Sequence, residues 1–288
     1  MNKPTIIITG ANGFIGSYLV NYFFAKGWKV RAFVYADPKN KMNGVDYIPY
    51  NLEDDLTQSI FESVNYLVHC AYLRFEKNKN ADEINRTGTK KLIDICKRKN
   101  IKLVFFSSFS AHKNAESHYG KTKLACEKLV NDTTAVILKP GFVIGKKGLA
   151  AELIKKIKSS SFFPLIGNGT QPIQTIYIEE LCLIVDAVFE KNITGLFYVA
   201  EKNAVSMKSF YEEIAKQLNK KIMFIPIPLS LFYSLCKWLE RIGLKLPVSS
   251  ESVLGLKCLI TFETERDLNK LGIPLKNYQE SLQMVLKQ

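Results

Sequence analysis

The chain of 288 residues has few of the side chains that form disulfide frameworks or metal sites. It has six cysteines and three histidines, and no two cysteines lie close together. Most of the cysteines lie within apolar runs, and they are Cys70, Cys96, Cys126, Cys182, Cys236 and Cys258. Neither these residues nor His69, His112 and His118 have the spacing of zinc ligands. We therefore expect no metal site, and reduced core cysteines in a cytoplasmic protein.

Long apolar runs and an export segment are also missing. A membrane-spanning helix needs about 20 mainly apolar residues, and charged residues interrupt the most apolar stretch, 225–247. They are Lys237, Glu240, Arg241 and Lys245. No charged and then apolar leader precedes the first predicted strand, so secretion is not expected. In 225–247 we expect an amphipathic helix packed on the protein, and peripheral attachment to a membrane surface stays open as the alternative.

Acidic residues are few relative to basic ones, 27 against 40, which gives a formal net charge of +13. Such an excess raises the question of nucleic-acid binding, because clustered lysines neutralise phosphates. The lysines recur along many predicted helices instead of clustering, and no nucleic-acid-binding motif is present. We therefore expect a small-molecule partner and no nucleic acid. A diphosphate substrate is compatible with the surplus charge.

A glycine-rich segment near the start of the chain predicts a dinucleotide-binding turn. Residues 6–8 are all isoleucine, typical of a parallel strand covered on both faces. Gly10, Gly13 and Gly16 follow, with one residue more than in the commoner dinucleotide fingerprint. Glycine lets backbone N–H groups approach a pyrophosphate at a helix N-terminus, where a side chain would obstruct them. An ordinary glycine turn is the alternative.

A second group of residues predicts proton transfer. The apolar run Lys102–Phe106 leads into Ser108, and Tyr119 and Lys123 follow at i and i+4 spacing. On one helix these two side chains project from the same face. An ammonium group beside a phenol lowers a pKa that is ordinarily about 10, and a serine hydroxyl nearby hydrogen-bonds the same substrate oxygen. A surface Tyr–Lys pair on an amphipathic helix is the alternative.

Strand and helix signals alternate along the first half of the chain, as in a βαβ array. Further strands are predicted at 29–35, 45–49, 66–70, 102–107 and 134–139, with helices at 82–99 and 117–131. We predict an α/β fold with a doubly wound parallel sheet, Rossmann-like, and a smaller C-terminal substrate lobe. Right-handed crossovers would place the ligand crevice at the carboxyl ends of the strands.

Beyond Gly145 the alternation breaks. We predict a helix at 150–159, a Gly/Pro-rich connection over 162–172, and strands at 173–177 and 195–200 that return to the sheet. The expected nucleotide-binding domain comprises 1–145 and 172–200. The expected substrate lobe comprises 146–171 and 201–288.

These motifs resemble those of the extended or atypical short-chain dehydrogenase/reductases, in the NAD-dependent nucleotide-sugar epimerase/dehydratase family. Besides the glycine turn and the Ser108, Tyr119, Lys123 set, lesser landmarks follow in the family's order over nearly the whole chain. They are Asn51-Leu52, His69-Cys70-Ala71, Asn85-Arg86-Thr87-Gly88-Thr89, Leu138-Lys139-Pro140-Gly141 and Val143-Ile144-Gly145.

The resemblance implies roles for the matched residues. Ser108, Tyr119 and Lys123 would be catalytic, with Tyr119 taking the proton of a substrate hydroxyl, and Asn85 would support a proton relay. With the ribose rule for the second strand, it also implies a set of cofactor-binding residues. They are Gly10, Asn12, Gly13, Phe14, Ile15, Gly16, Tyr35, Asn51, Leu52, His69, Ala71, Asn85, Tyr119, Lys123, Pro140 and Val143.

Departures from the family pattern narrow the expected chemistry. Phe109-Ser110 stands where 4,6-dehydratases of this family carry Asp-Glu, which disfavours dehydration by the usual route. The interval between Ser108 and Tyr119 is short, so we expect a more open site. Asn51 in place of Asp and Lys139 in place of Arg put adenine and phosphate contacts in doubt.

The second strand bears on the choice of cofactor. Tyr35 ends this strand, and Asp37 follows within reach of a ribose hydroxyl. Lys39 and Lys41 could instead hold a 2′-phosphate, but no arginine is present to bind it bidentately. We therefore expect NAD in preference to NADP.

The combined interpretation is an NAD(P)-dependent oxidoreductase or epimerase that transfers hydride at a carbinol carbon of a nucleotide sugar. A 4-epimerase or 4-oxidoreductase fits the departures better than a 4,6-dehydratase. A non-catalytic NAD(P)-binding scaffold or redox sensor is the alternative from another class, and an NADPH-dependent ketone reductase is a third. A homodimer is compatible with this interpretation.

Overall fold

The computed structural model describes residues 3–131, 134–244 and 248–287. Its strands are β1 (Thr5–Thr9), β2 (Lys29–Val34), β3 (Asp46–Pro49), β4 (Tyr66–His69), β5 (Lys102–Phe106), β6 (Val136–Pro140), β7 (Phe142–Ile144), β8 (Phe162–Ile166), β9 (Pro172–Ile173), β10 (Thr175–Tyr177), β11 (Gly195–Val199), β12 (Val205–Ser206) and β13 (Met223–Ile227). Its helices are α1 (Phe14–Ala25), α2 (Ala81–Lys99), α3 (His118–Asn131), α4 (Gly148–Ser159), α5 (Ile178–Glu190), α6 (Met207–Gln217), α7 (Leu229–Arg241), α8 (Ser250–Lys257), α9 (Glu265–Leu271) and α10 (Tyr278–Leu286), with a short 3-10 helix at Gln58–Phe61.

Seven parallel strands form the central sheet, in the order β11-β6-β5-β4-β1-β2-β3. β1 pairs with β2 on one side and with β4 on the other, so that Ile7 lies beside both Arg31 and Leu67. The direction of strand addition reverses between β1 and β4, and this is where doubly wound sheets open a ligand crevice at their carboxyl edge. The predicted doubly wound α/β fold is confirmed.

Successive side chains of β1 enter two different hydrophobic cores. Ile6 and Ile8 pack with α1 and α5 on one face of the sheet, whereas Ile7 packs with α2 and α3 on the other. All three are fully buried, and burial of one such side chain contributes about 1.5–3 kcal/mol. Because both faces are covered, the strand is apolar without alternation.

A third core lies beyond β7 and differs from the expected arrangement. Phe163 and Leu165 of β8 are buried in it with Phe210 and Ile214 of α6. The segment 162–172, predicted as a connection, contains β8, which pairs in parallel with β13. Residues 195–199 join the central sheet as predicted, but 173–177 do not, because β10 pairs with β7 and β9 pairs with β12.

The expected helix over 225–247 is only partly present. Its first residues belong to β13, and the helix is α7, Leu229–Arg241; residues 245–247 lie outside the described part of the chain. α7 packs against α8, and Cys236 is its buried residue. The expectation that its apolar side chains pack on the protein is wrong for Leu231, Leu235 and Trp238, which are exposed. The other apolar side chains of the helix are buried or partly buried.

Gln174, between β9 and β10, ties the C-terminal part of the chain to the rest of the fold. Its side chain is buried. Its Oε1 accepts a hydrogen bond from the Phe262 N–H at 2.8 Å, and its Nε2 donates to the carbonyls of Phe262 and Glu201. One amide thus satisfies backbone groups of two distant segments.

We expect Gln174→Leu to lower the free energy of unfolding by about 3 kcal/mol, because several buried backbone groups lose their partner at once. Urea denaturation followed by circular dichroism would measure the change. Gln58→Leu is the matched control, since Gln58 is exposed. Equal urea midpoints for the two variants would contradict a stabilising role of the Gln174 hydrogen bonds.

Candidate functional site

The glycine turn after β1 has the close backbone approach that a dinucleotide cradle needs. Gly10 has φ +64°, and a Cβ there would lie 2.9 Å from the backbone of Ala71. A Cβ on Gly16 would lie 2.3 Å from the carbonyl oxygen of Gly10. Gly13 is the N-cap of α1 and has no side chain over the helix end. The first N–H groups of α1 have no partner within the helix, which fits a pyrophosphate at this position.

The end of β2 lies beside this turn. Asn12 donates from Nδ2 to the carbonyl of Ala36 at 2.9 Å, which ties the turn to the β2 end. Tyr35 is strongly exposed there. Asp37 forms an exposed ion pair with Lys41 at 2.8 Å. Asp37, the acidic residue expected to contact the ribose, is therefore paired with Lys41, which could hold a 2′-phosphate.

The predicted catalytic residues come together at the carboxyl edge of the sheet. Ser108 follows β5, and its Oγ accepts a hydrogen bond from the Ser110 N–H at 3.1 Å. Tyr119 lies in the first turn of α3 and keeps 37% of its surface exposed. Lys123, one turn later, is buried and donates from Nζ to the carbonyl of Phe106 at 2.6 Å. The set is held by two elements that meet at one edge.

The charge balance at Tyr119 differs from the expected one. Burial raises the pKa of the Tyr119 phenol, while hydrogen bonding with Ser108 and the charge of Arg74 act in the opposite direction. Burial also lowers the pKa of the Lys123 ammonium. Arg74 is thus a cation that lowers the pKa of the phenol in this arrangement. A contribution of Lys123 to that lowering stays a prediction.

Tyr72 and Arg74 are functional candidates that the motifs did not reveal. The ring of Tyr72 meets that of Tyr119 edge to face, with centres 4.9 Å apart. Lys123 Nζ lies 5.2 Å from the centre of the Tyr72 ring. Their position just after His69-Cys70-Ala71 is the one sequence signal that could have found them.

Two predicted site residues direct their side chains into the protein. His69 is buried between Thr9 Oγ1, at 2.7 Å from Nδ1, and Thr89 Oγ1, at 3.1 Å from Nε2. Asn85 is buried too, and its amide bonds both the N–H and the carbonyl of Leu73. Cofactor contact at His69 would therefore involve its backbone, and the Asn85 side chain supports the segment that carries Tyr72 and Arg74.

The remaining predicted cofactor residues line the same edge of the sheet. Asn51 and Leu52 follow β3, with Leu52 buried against Gly88 of α2. Pro140 ends β6, and Val143 lies in β7, paired with Ile176. Phe14 and Ile15 lie in the first turn of α1, and Ala71 donates its N–H to Thr9 Oγ1. These residues all lie near the carboxyl edge of the sheet.

Lys139, which stands where the family pattern has arginine, does not point to a phosphate. It is buried and forms an ion pair with Glu127 of α3 at 2.9 Å. Ser107 donates a hydrogen bond to the same carboxylate. A structural ion pair thus joins β6 to α3, the helix of Tyr119, and contacts Ser107, the residue before Ser108.

Phe109, where dehydratases carry an acid, is also structural. Its ring is buried and lies 4.7 Å from that of Phe262. A nonpolar side chain turned into the protein supplies neither acid nor base for water elimination.

Residues 3–131, 134–244 and 248–287 include neither a cluster of metal ligands nor a membrane-spanning helix. This part of the chain contains no group of three or more metal-ligating side chains that could hold an ion. Its helices are all too short or too polar to cross a bilayer.

The profile of the NAD dependent epimerase/dehydratase family matches residues 6–199. The chain belongs to this family, and the NAD(P) cofactor expected from the glycine turn is thereby supported. The match spans the central sheet from β1 to β11.

Individual proteins show how far the similarity reaches. A sterol-4-alpha-carboxylate 3-dehydrogenase, decarboxylating, from Dictyostelium discoideum is 21% identical over 267 residues, covering 78% of this chain and 81% of that protein. The structure is similar to UDP-N-acetylglucosamine 4-epimerase from Methanobrevibacter ruminantium M1 in complex with UDP-N-acetylmuramic acid, with TM-score 0.76, 19% identity and coverage of 100% and 98%. It is also similar to WbmG of Bordetella bronchiseptica in complex with NAD and UDP, with TM-score 0.79, 16% identity and coverage of 99% and 94%.

His69 makes the stability of the fold depend on pH. Burial, together with the charge of Lys123, lowers the pKa of its imidazole from 6.5 to about 3. Between these values the unfolded chain binds the extra proton and the folded protein does not. The stabilisation is complete above about pH 6.5 and is lost as the pH falls toward 3.

We therefore expect the wild type to lose about 2 kcal/mol more free energy of unfolding between pH 7 and pH 5 than His69→Gln. Urea denaturation at both pH values would measure the difference, and the carboxylates common to both proteins cancel. Parallel pH curves for the two proteins would show that His69 has an ordinary pKa.

Proposed function

We propose that the chain catalyses NAD(P)-dependent hydride transfer at a carbinol carbon of a nucleotide sugar, as a 4-epimerase or a related 4-oxidoreductase. The observation that carries the proposal is the meeting of Ser108, Tyr119 and Lys123 at the sheet edge that also holds the glycine turn. The buried Phe109 argues against dehydration. Similarity to a UDP-N-acetylglucosamine 4-epimerase gives further support.

In this proposal the residues move a proton and hold the substrate oxygen. The Tyr119 phenolate takes the hydroxyl proton as the C–H hydride leaves the same carbon, so that a ketone forms and charge balances. Ser108 donates a hydrogen bond to the reacting oxygen, and Arg74 favours the phenolate. A nicotinamide bound at the glycine turn would supply the hydride acceptor and donor. Epimerisation or net oxidation would then depend on whether the ketone is reduced again or released.

NAD(P) fits the residues of the cradle, because Gly10 and Gly16 leave room that a side chain would fill. We propose that the N–H groups at the start of α1 hold the pyrophosphate and that the β2 end receives the adenosine ribose. NAD is preferred over NADP in this proposal, since Asp37 is acidic and no arginine lies in the segment 35–41.

Oxidation of an apolar carbinol is the second candidate. Its support is the series of contacts that runs from the start of α3, the helix of Tyr119, through α8 to the apolar helix α7. Glu251 accepts the His118 N–H at 2.6 Å, and Lys257 pairs with Glu116 at 2.7 Å. α8 in turn packs on the apolar helix α7. Similarity to a sterol dehydrogenase is consistent with this candidate.

The first test of the proposal is Tyr119→Phe. We expect turnover to fall by about 10²–10⁴-fold, because the proton carrier is lost, while NAD affinity changes by less than a few-fold. NMR of a panel of nucleotide sugars and sterols incubated with NAD would identify the converted substrate and measure the loss. Tyr66→Phe, at the opposite edge of the sheet, is the matched control. Turnover within a few-fold of wild type in Tyr119→Phe would overturn the assignment.

The second test is Gly13→Val. Its side chain would cover the start of α1, so we expect NAD affinity to fall at least about tenfold. The added Cβ would lie 3.0 Å from the Gly10 carbonyl oxygen, so we also expect a lower unfolding midpoint. Calorimetric titration with NAD and NADP would measure this loss and, in the wild type, the preference for NAD. Gly255→Val is the control, because an added Cβ there meets nothing within 4 Å. Unchanged NAD affinity in a folded Gly13→Val would contradict the cradle.

A further inference from the structure

Helix α7 exposes an apolar stripe to solvent. Leu231, Leu235 and Trp238, with Ile242 at its C-cap, are 46–62% exposed. At about 100° per residue these four positions fall within an arc of about 60°, whereas the buried Cys236 lies about 130° from the middle of that arc. α7 is therefore apolar well beyond the side that the protein covers.

The strand that leads into α7, β13, also exposes apolar side chains to solvent. Met223 and Ile225 of β13 and Phe162 of the paired β8 are 48–63% exposed. Phe162 and Met223 are direct register partners, so they lie on one face of this two-stranded sheet. Their neighbours Phe163 and Leu165 point into the core instead. We call the exposed apolar residues of β8, β13 and α7 the α7 surface.

The charges in these two segments are nearly all positive. Residues 155–166 and 218–244 contain seven basic residues and one acidic residue, Glu240. The basic residues are Lys155, Lys156, Lys158, Lys220, Lys221, Lys237 and Arg241. Glu240 is occupied by hydrogen bonds from the N–H and hydroxyl of Ser250. None of the seven forms an ion pair within the described residues. Lys220 instead donates from Nζ to the carbonyls of residues 157, 158 and 160.

Exposed apolar side chains that include a tryptophan, with cations that form no ion pair in the same segments, match the chemistry of an anionic bilayer surface. Leucine and tryptophan side chains enter the boundary between headgroups and acyl chains, and lysines stay at the phosphates. A second copy of the chain is a poor occupant, because self-association would bring seven cations against seven others.

We propose that the protein docks peripherally on anionic membranes through the α7 surface, with α7 lying in the plane of the interface. This inference is independent of the reaction proposed above. The net charge of +13 would also strengthen the docking, because long-range attraction to an anionic surface adds to the local contacts.

Vesicle flotation tests the proposal directly. We expect the wild type to float with phosphatidylglycerol–phosphatidylcholine vesicles and not with phosphatidylcholine alone, and added salt to release it. The double variant Leu231→Ser/Leu235→Ser should bind roughly tenfold more weakly. Leu183→Ser, on α5 and also exposed, is the matched control and should bind like the wild type.

Fluorescence gives a second readout, since the chain has two tryptophans. In a Trp28→Phe background, Trp238 emission should shift to the blue when the anionic vesicles are added. Lys155→Gln/Lys156→Gln/Lys158→Gln should weaken binding more than the same changes at Lys90, Lys97 and Lys99 of α2.

Three results would overturn the proposal. The first is equal flotation of the wild type and the Leu231/Leu235 variant. The second is flotation without a shift of Trp238 emission. The third is failure of the wild type to bind the anionic vesicles. If analytical ultracentrifugation then shows a dimer that the Leu231/Leu235 variant dissociates, the α7 surface is a contact between copies of the chain.

Discussion

The placement of the candidate catalytic groups depends on the buried ion pair between Lys139 of β6 and Glu127 of α3. Ser107, at the end of β5, donates to the same carboxylate. Three elements are thus joined by charge-assisted hydrogen bonds at one point, and removal of either charge would leave the other buried and unpaired. The net stabilisation by such a pair is small because desolvation opposes it. Its main consequence is geometric: the strand end with Ser108 and the helix with Tyr119 keep a fixed spacing.

A layer of buried polar side chains supports the crevice from below. His69 connects Thr9 with Thr89, and Asn85 holds both backbone groups of Leu73. These contacts fix the ends of β1 and β4 and the start of α2 relative to one another. Each donor and acceptor is satisfied inside the protein, where an unpaired one would be costly. The residues that a motif search associates with cofactor chemistry here hold the backbone that forms the crevice.

The sequence predicted the sheet well and the lobe poorly, for a physical reason. β1 and β5 are continuous apolar runs because both sheet faces are covered, and this signal is local. β8 pairs with β13, which lies about sixty residues further along the chain, and Pro164 within it reads as a loop residue. The candidate site shows the same difference between local signals, which the sequence reveals, and long-range contacts, which it does not. Spacing located Tyr119 and Lys123, but only the structure revealed that Tyr72 contacts the Tyr119 ring and that the charge of Arg74 acts on the phenol.

The exposure of apolar side chains on α7 follows from the way this helix packs. A surface helix normally turns its apolar stripe toward the core, yet α7 packs mainly on α8, itself a short helix. α8 covers one side of α7, whereas Leu231 and Trp238 stay in water at a cost in free energy that grows with their exposed area. α8 also contacts the start of α3 through Glu251. Two contacts, of α7 with α8 and of α8 with α3, therefore connect the α7 surface with the helix of Tyr119.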